Sequence, residues 1–325
     1  MQTVMMNRAR ELLAGGTVSR VIGWKRGETD WDITPAVFTT VSDLEAGFVY
    51  NDLCSSNLSK YLVRESRKEG RTLVFLKPCD SYSFNQLLKE HRIASGNVLA
   101  VGVPCDGKID REAISAKGLD GITVISPEGG MVRVETLYGG TVIPREEAIS
   151  ARCAQCKSRK HVYYDELLGN EGEVLDSHRF DMVARIEAMD PDSRYAFWRG
   201  ELSRCIRCNA CRNVCPACTC ERCVFDNDAS GVANKAAGDP FEENLFHVIR
   251  AFHVAGRCTD CGECSRVCPQ NIPLHLLNRK MMKDSNELYG EYQAGADAET
   301  PGPLTAFSQG DAEPSVVYGR EGRKN

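Results

Sequence analysis

CIRCNACRNVCPACTCERC, residues 205–223, places seven cysteines within nineteen residues. The first four run Cys205-x2-Cys208-x2-Cys211-x3-Cys215 with Pro216 next, and the same register returns as Cys258, Cys261, Cys264 and Cys268 with Pro269. Three thiols spaced by two residues let a tight loop turn successive side chains and backbone N–H groups onto one anion. The fourth Cys, before Pro, leaves the loop and ligates the other cluster in two-cluster ferredoxins. On that pattern a first 4Fe-4S cluster takes Cys205, Cys208, Cys211 and Cys268, and a second takes Cys258, Cys261, Cys264 and Cys215. Zinc knuckles also use C-x2-C, but zinc needs only two such pairs per ion, whereas the doubled x2-x2-x3-CP register belongs to 4Fe-4S binding.

Between the runs, Asp239-Pro240 offers an N-cap and a first-turn Pro, Glu242 and Glu243 suit a helix N-terminus, and Leu245, Phe246, Ile249 and Phe252 recur at helical spacing. A further helix starts in PLHLLNRKMM, residues 273–282. The sequence therefore predicts a helical two-cluster ferredoxin-like domain over 201–284. Cys218, Cys220 and Cys223 are left over: alternative or extra iron ligands, or buried thiols packed beside a cluster.

The N-terminal half alternates helix-like and strand-like segments, which predicts an α/β domain over 1–150. Residues 56–70 (SNLSKYLVRESRKEG) read as a helix, 72–77 (TLVFLK) as a buried strand, 82–91 as a helix and 97–103 (NVLAVGV) as the next buried strand. That βαβ unit implies a mostly parallel sheet. Each strand runs into Pro-Cys-Asp, at Cys79 and Cys105, and sites gather outside the carboxyl ends of parallel strands. A connector over 151–200 carries a C-x2-C loop at Cys153 and Cys156. These four thiols suffice for a third 4Fe-4S cluster; the competing reading has Cys79 and Cys105 as buried thiols and Cys153/Cys156 as half a zinc site. Cys54 competes for a ligand place.

Asp80 and Asp106 read as caps of the helices after each strand ahead of acid–base carboxylates, the basic run 157–161 (KSRKH) as a solvated loop or else an offset to cluster charge, and His247 and His253 as packing or surface residues. The glycine pairs at 15–16, 129–130 and 139–140 read as turns. There is no G-x-G-x-x-G after a strand and no P-loop, so no nucleotide fingerprint is present. Residues 285–325, rich in Gly, Pro and polar side chains, read as an extended tail, in which Leu304, Phe307, Val316 and Tyr318 are candidates for docking on a partner.

The chain has 325 residues, 42% hydrophobic and 26% charged, with a formal net charge of -5. That balance gives no global field for nucleic acid or an anionic membrane. The N-terminus reads as an amphipathic helix, not a secretion signal, and no run approaches the ~20 apolar residues of a membrane helix. A cytoplasmic chain with sixteen cysteines points to metal, since a reducing compartment disfavours disulfides.

Residues 194–223 and 253–273, with KPCD at 77–80, VPCDG at 103–107 and RCAQC leading into YYDELLG at 163–169, resemble iron-sulfur subunits of one group. It comprises relatives of the beta subunit of deazaflavin (coenzyme F420) hydrogenases and formate dehydrogenases. The CP-x-C-x-C extension is similar to that of the A-subunit of anaerobic sulfite reductase. The nearest type is the iron-sulfur component associated with heterodisulfide-reductase complexes. The resemblance implies a non-catalytic electron-transfer subunit, relaying electrons between a flavoprotein, formate dehydrogenase or hydrogenase and a heterodisulfide-reductase-like, electron-bifurcating complex in an anaerobic setting. Its alternatives are an electron-transfer subunit of an anaerobic sulfite or polysulfide reductase, or a dehydrogenase beta subunit that carries FAD.

Overall fold

The computed structural model describes residues 1–227, 229 and 240–306. Two sheets hold the strands among these residues. The strands β1 (Arg20–Arg26), β2 (Ile33–Phe38), β3 (Thr72–Leu76) and β4 (Val98–Gly102) belong to the larger sheet, while β5 (Ile122–Glu128), β6 (Met131–Thr136) and β7 (Gly139–Pro144) form a separate antiparallel meander. The short β8 (Glu166–Leu167) then returns from the connector to the edge of the larger sheet, whose order is β2-β1-β3-β4-β8. Only the β1–β2 pairing is antiparallel; β1–β3, β3–β4 and β4–β8 are parallel.

β3 and β4 are buried at every residue, as the unbroken apolar runs TLVFL and VLAVG require when both faces of a parallel sheet are covered. The helix Gln2–Ala14 supplies Met5, Ala9 and Leu12 to the core, together with Trp24, Phe48 and Phe75 from the sheet and its flanks. After β3 the chain enters the helix Pro78–Lys89, four residues earlier than the sequence suggests. Pro78 opens it, and the Asp80 carboxylate accepts from the Lys77 backbone N–H (3.3 Å) and from Lys77 Nζ (2.8 Å).

Three local expectations are corrected. The helix read over 56–70 shrinks to a 3-10 turn, Ser59–Tyr61, and one α-turn, Leu62–Glu65. Here side chains compete for the backbone: Asn57 Oδ1 takes the Ser59 N–H (2.9 Å) and Ser59 Oγ donates to the Asp80 carbonyl (2.8 Å). Asp106 caps no helix; it is exposed and pairs with Arg159, while Asp110 caps the helix Arg111–Ser115. The run 157–161 is not a solvated loop, since Ser158 and His161 are buried and Lys157 lies over the Tyr82 ring and donates to the Thr259 carbonyl (2.7 Å).

In the C-terminal half the helices Pro191–Leu202, Pro240–Val254 and Leu274–Tyr289 surround a second core of Leu202, Phe225, Phe246, Leu274 and Leu277, into which Cys211 and Cys264 pack. The expected cap Asp239 lies outside the described residues. On the helix Pro240–Val254, Phe252 faces outward, and the inward face carries Glu243, His247 and Arg250 beside Phe246.

The boundary expected at 284 falls inside the helix Leu274–Tyr289, which Lys280–Asp284 and Lys283–Glu287 pairs at i,i+4 extend. Residues 290–306 are not a free extended tail. They return to the helix Pro78–Lys89, where Lys89 Nζ donates to the Thr300 carbonyl (2.5 Å) and Ala294 is buried. Leu304 is half exposed; Phe307, Val316 and Tyr318 lie outside the described residues. Among the described residues, no helix is long and apolar enough to cross a membrane.

Candidate iron-sulfur sites

The two cysteine runs fold into loops of the same backbone shape. Two and four residues after the first cysteine of each run the chain turns left-handed: Arg207 and Asn209 (φ 52° and 61°) in one, Asp260 and Gly262 (φ 60° and 67°) in the other. Asn, Asp and Gly tolerate that region. Arg207 is held there by its guanidinium, 4.1 Å from the Phe246 ring centroid and 3.7 Å from Glu243. The winding turns backbone N–H groups inward, and that of Arg207 reaches Cys205 Sγ (3.4 Å).

Three small cavities collect the thiols. Cys205, Cys208, Cys211 and Cys268 line one, together with His247. Cys258, Cys261, Cys264 and Cys215 line the second, where Asn278 Nδ2 donates to Cys264 Sγ (3.6 Å). Cys79, Cys105, Cys153 and Cys156 line the third. Register explains the last: β3 pairs Leu76 with Gly102, and Cys79 and Cys105 each stand three residues beyond the paired positions. Gly107, at φ 95°, takes a backbone conformation that favours glycine where the chain turns beside Cys153.

Among the described residues, no three His, Cys, Asp or Glu donors converge as they would on one metal ion. Each of the three cavities is lined by its own four thiols, the number a 4Fe-4S cluster takes. Burial pushes the Cys205 and Cys258 thiols up to about 12 and Cys79 well above the usual thiol range. Thiols in such settings release their protons to bind metal, which couples loading to folding. Cations moderate the cost: Lys77, Lys108, Arg152, Lys157 and Arg279 line the third cavity against the single carboxylate of Asp260.

Cys54 stays outside all three; its thiol is buried and donates to the Val49 carbonyl (3.6 Å). Cys218, Cys220 and Cys223 line a separate, larger cavity. Sequence reasoning missed Arg250 and read His247 only as a packing or surface residue. His247 is buried with neither ring nitrogen hydrogen-bonded, and burial, with Arg250 and Arg207 nearby, lowers it to about 3, so a neutral imidazole faces the first cavity. His253, by contrast, is exposed. The i, i+4, i+7 spacing of Glu243, His247 and Arg250 beside Phe246 was the available signal.

Arg152 joins the two halves. Its guanidinium pairs with Glu263 (2.6 Å) and donates to the carbonyls of Ser55 (2.7 Å) and Cys261. The loop bearing Cys153 is thereby tied to the loop bearing Cys261 and Cys264.

A family model described as a 4Fe-4S dicluster domain matches residues 201–272. The "F420-dependent formate dehydrogenase subunit beta" of Methanocaldococcus jannaschii is 24% identical across 89% of this chain and 90% of its own length. The beta subunit of "F420-dependent formate dehydrogenase 1" of Methanococcus maripaludis is 24% identical across 90% of each. A chain of the F420-reducing nickel-iron hydrogenase complex of Methanosarcina barkeri, in a xenon-derivatised structure, matches 62% of this chain and 86% of its own length. At 14% identity and a TM-score of 0.37, that likeness is too slight to bear on the fold. Residues 201–272 are thus a 4Fe-4S dicluster domain, in a chain homologous over most of its length to the beta subunits of F420-dependent formate dehydrogenases.

Proposed function

We propose that this chain is a cytoplasmic iron-sulfur relay subunit of a larger oxidoreductase, working between a flavoprotein, formate dehydrogenase or hydrogenase and a heterodisulfide-reductase-like, electron-bifurcating complex. The observation that carries the proposal is the contiguity of the three thiol-lined cavities. The first and second exchange their fourth cysteines, Cys268 and Cys215, across the doubled motif, and the second and third share Cys261 and Asp260 as common wall. When bound, 4Fe-4S clusters supply one-electron uptake and release. The chain's own residues supply the order: eight cysteines in the dicluster domain, then Cys79, Cys105, Cys153 and Cys156 at the carboxyl edge of the parallel sheet, with Arg152 holding the two sets in register.

Anaerobic affinity purification from the native cell, with co-purifying subunits identified by mass spectrometry, tests the reading. Heterodisulfide-reductase-like subunits with a flavoprotein, formate dehydrogenase or hydrogenase are expected. A sirohaem protein would move the chain to the sulfite reductase class, and flavin released from the isolated chain on denaturation would make it an FAD-carrying beta subunit. Replacing Cys79 and Cys153 by Ser should remove about four irons per chain; an unchanged iron content would eliminate the third site.

A further inference from the structure

Behind the first cysteine run lies a fourth cavity, about 440 Å³, against 20 to 40 Å³ for each of the three thiol-lined cavities already described. Three cysteines that the doubled motif does not use, Cys218, Cys220 and Cys223, line it together. Their side chains reach it from one short stretch: Cys218 packs against Val254 and Cys215, Cys223 against the core around Phe225 and Phe246, and Cys220 is exposed. Lys60, Arg212, Arg250 and Arg257 line the same space. Three of these cations already have partners: Lys60 with the Cys218 carbonyl, Arg212 with Asp226 (2.8 Å) and Arg257 with Glu90 (2.5 Å).

Arg250 is different. It is 2% exposed, and Nε, Nη1 and Nη2 are all without a hydrogen-bond partner. A buried guanidinium whose three nitrogens, with five N–H donors between them, are unpaired is costly unless an anion meets it. Arg250 lines this cavity, and its guanidinium sits among the thiols of Cys264, Cys211, Cys215 and Cys218, between the dicluster ligands and the unused cysteines. The required ligand is anionic, presents several acceptor atoms and binds thiolates.

We infer that Cys218, Cys220 and Cys223 hold an additional 4Fe-4S cluster in this cavity, with Arg250 donating to its sulfur atoms and one iron left without a protein ligand. A zinc ion would satisfy three thiols but would offer no acceptors to a guanidinium. The order-of-magnitude difference in volume is the second reason: a centre seated on the three thiols leaves space at its fourth corner, where a small exogenous ligand fits. Cys218 also packs beside Cys215, the ligand that crosses to the second cavity, so the new site adjoins the dicluster domain.

The full chain, reconstituted anaerobically with iron and sulfide, should lose about four irons per chain in a Cys220→Ser/Cys223→Ser variant, with no zinc in either protein. The same loss is expected in a Cys79→Ser/Cys153→Ser background, which separates this site from the third cavity of the relay. Because Cys220 is exposed, Cys220→Ser alone leaves the core intact, and it should perturb the low-temperature EPR spectrum of the reduced protein without altering the circular dichroism. Unchanged iron and spectra in the double variant would overturn the inference, as would the loss of one zinc in place of iron.

Discussion

Replacing Arg152 by Ala tests how the two halves of the chain are held in register. The side chain is 8% exposed and its partner Glu263 2%. Three charge-assisted contacts vanish: the 2.6 Å pair with Glu263, the 2.7 Å bond to the Ser55 carbonyl and the bond to the Cys261 carbonyl. Such bonds contribute about 1.5–3 kcal/mol each, and stripping one partner from a buried pair costs about 3–5 kcal/mol when the other charge is abandoned. Glu263 is not abandoned, because Arg266 holds both its oxygens at 2.9 and 2.8 Å. The net loss should therefore sit lower, at about 2–3 kcal/mol, or roughly 30- to 150-fold in the population of the opened interface.

Unfolding of a multidomain metalloprotein is not two-state, so a rate of iron loss is the sound readout. Under anaerobic conditions with a coloured iron chelator, Arg152→Ala should release iron roughly 30- to 150-fold faster than the parent where opening limits release. Arg152→Lys should restore little, since a compact ammonium cannot span three separate acceptors. Arg266→Ala, which leaves Glu263 on Arg152, should have the smaller effect. Release from Arg152→Ala at the parent rate, or no faster than from Arg266→Ala, would refute the clamp.

Two glycines extend the test. Gly262 sits at φ 67°, and an added Cβ would lie 2.6 Å from Arg152 Cδ; Gly262→Ala should add about 1–2 kcal/mol of left-handed strain and lower iron loading per chain on reconstitution, and full loading would contradict this. Gly295 sits at φ 76° against the Tyr82 backbone carbonyl; Gly295→Ala should detach residues 290–306 from the helix Pro78–Lys89 and open them to limited proteolysis, whereas an unaltered digest would show that this docking does not depend on the close approach.

Much of the fold was legible in short windows. TLVFL and VLAVG announce buried parallel strands because nothing in them alternates, and both are buried throughout. The meander β5–β6–β7 is equally present in ITVISPE, MVRVET and the glycines between them, but the glycine pairs by themselves suggest only turns and leave the strands they join unassigned. Polar side chains mislead more than apolar ones. Asp106 looks like a cap, yet no helix starts there, and Lys157 looks solvated, yet it reaches across to Thr259. Their partners are distant in sequence, so no local pattern reports them.

By itself the sequence determined the two cysteine loops and the strands that end in Cys79 and Cys105, because thiol spacing and hydrophobic runs act over a few residues. Only the tertiary structure showed which thiols line one cavity: Cys153 and Cys156 with Cys79 and Cys105 but not Cys54, and Cys218, Cys220 and Cys223 together with the buried Arg250. Spacing sets how a loop winds. What a buried charge faces is set by packing between segments far apart in the chain, and there no periodicity exists to be read.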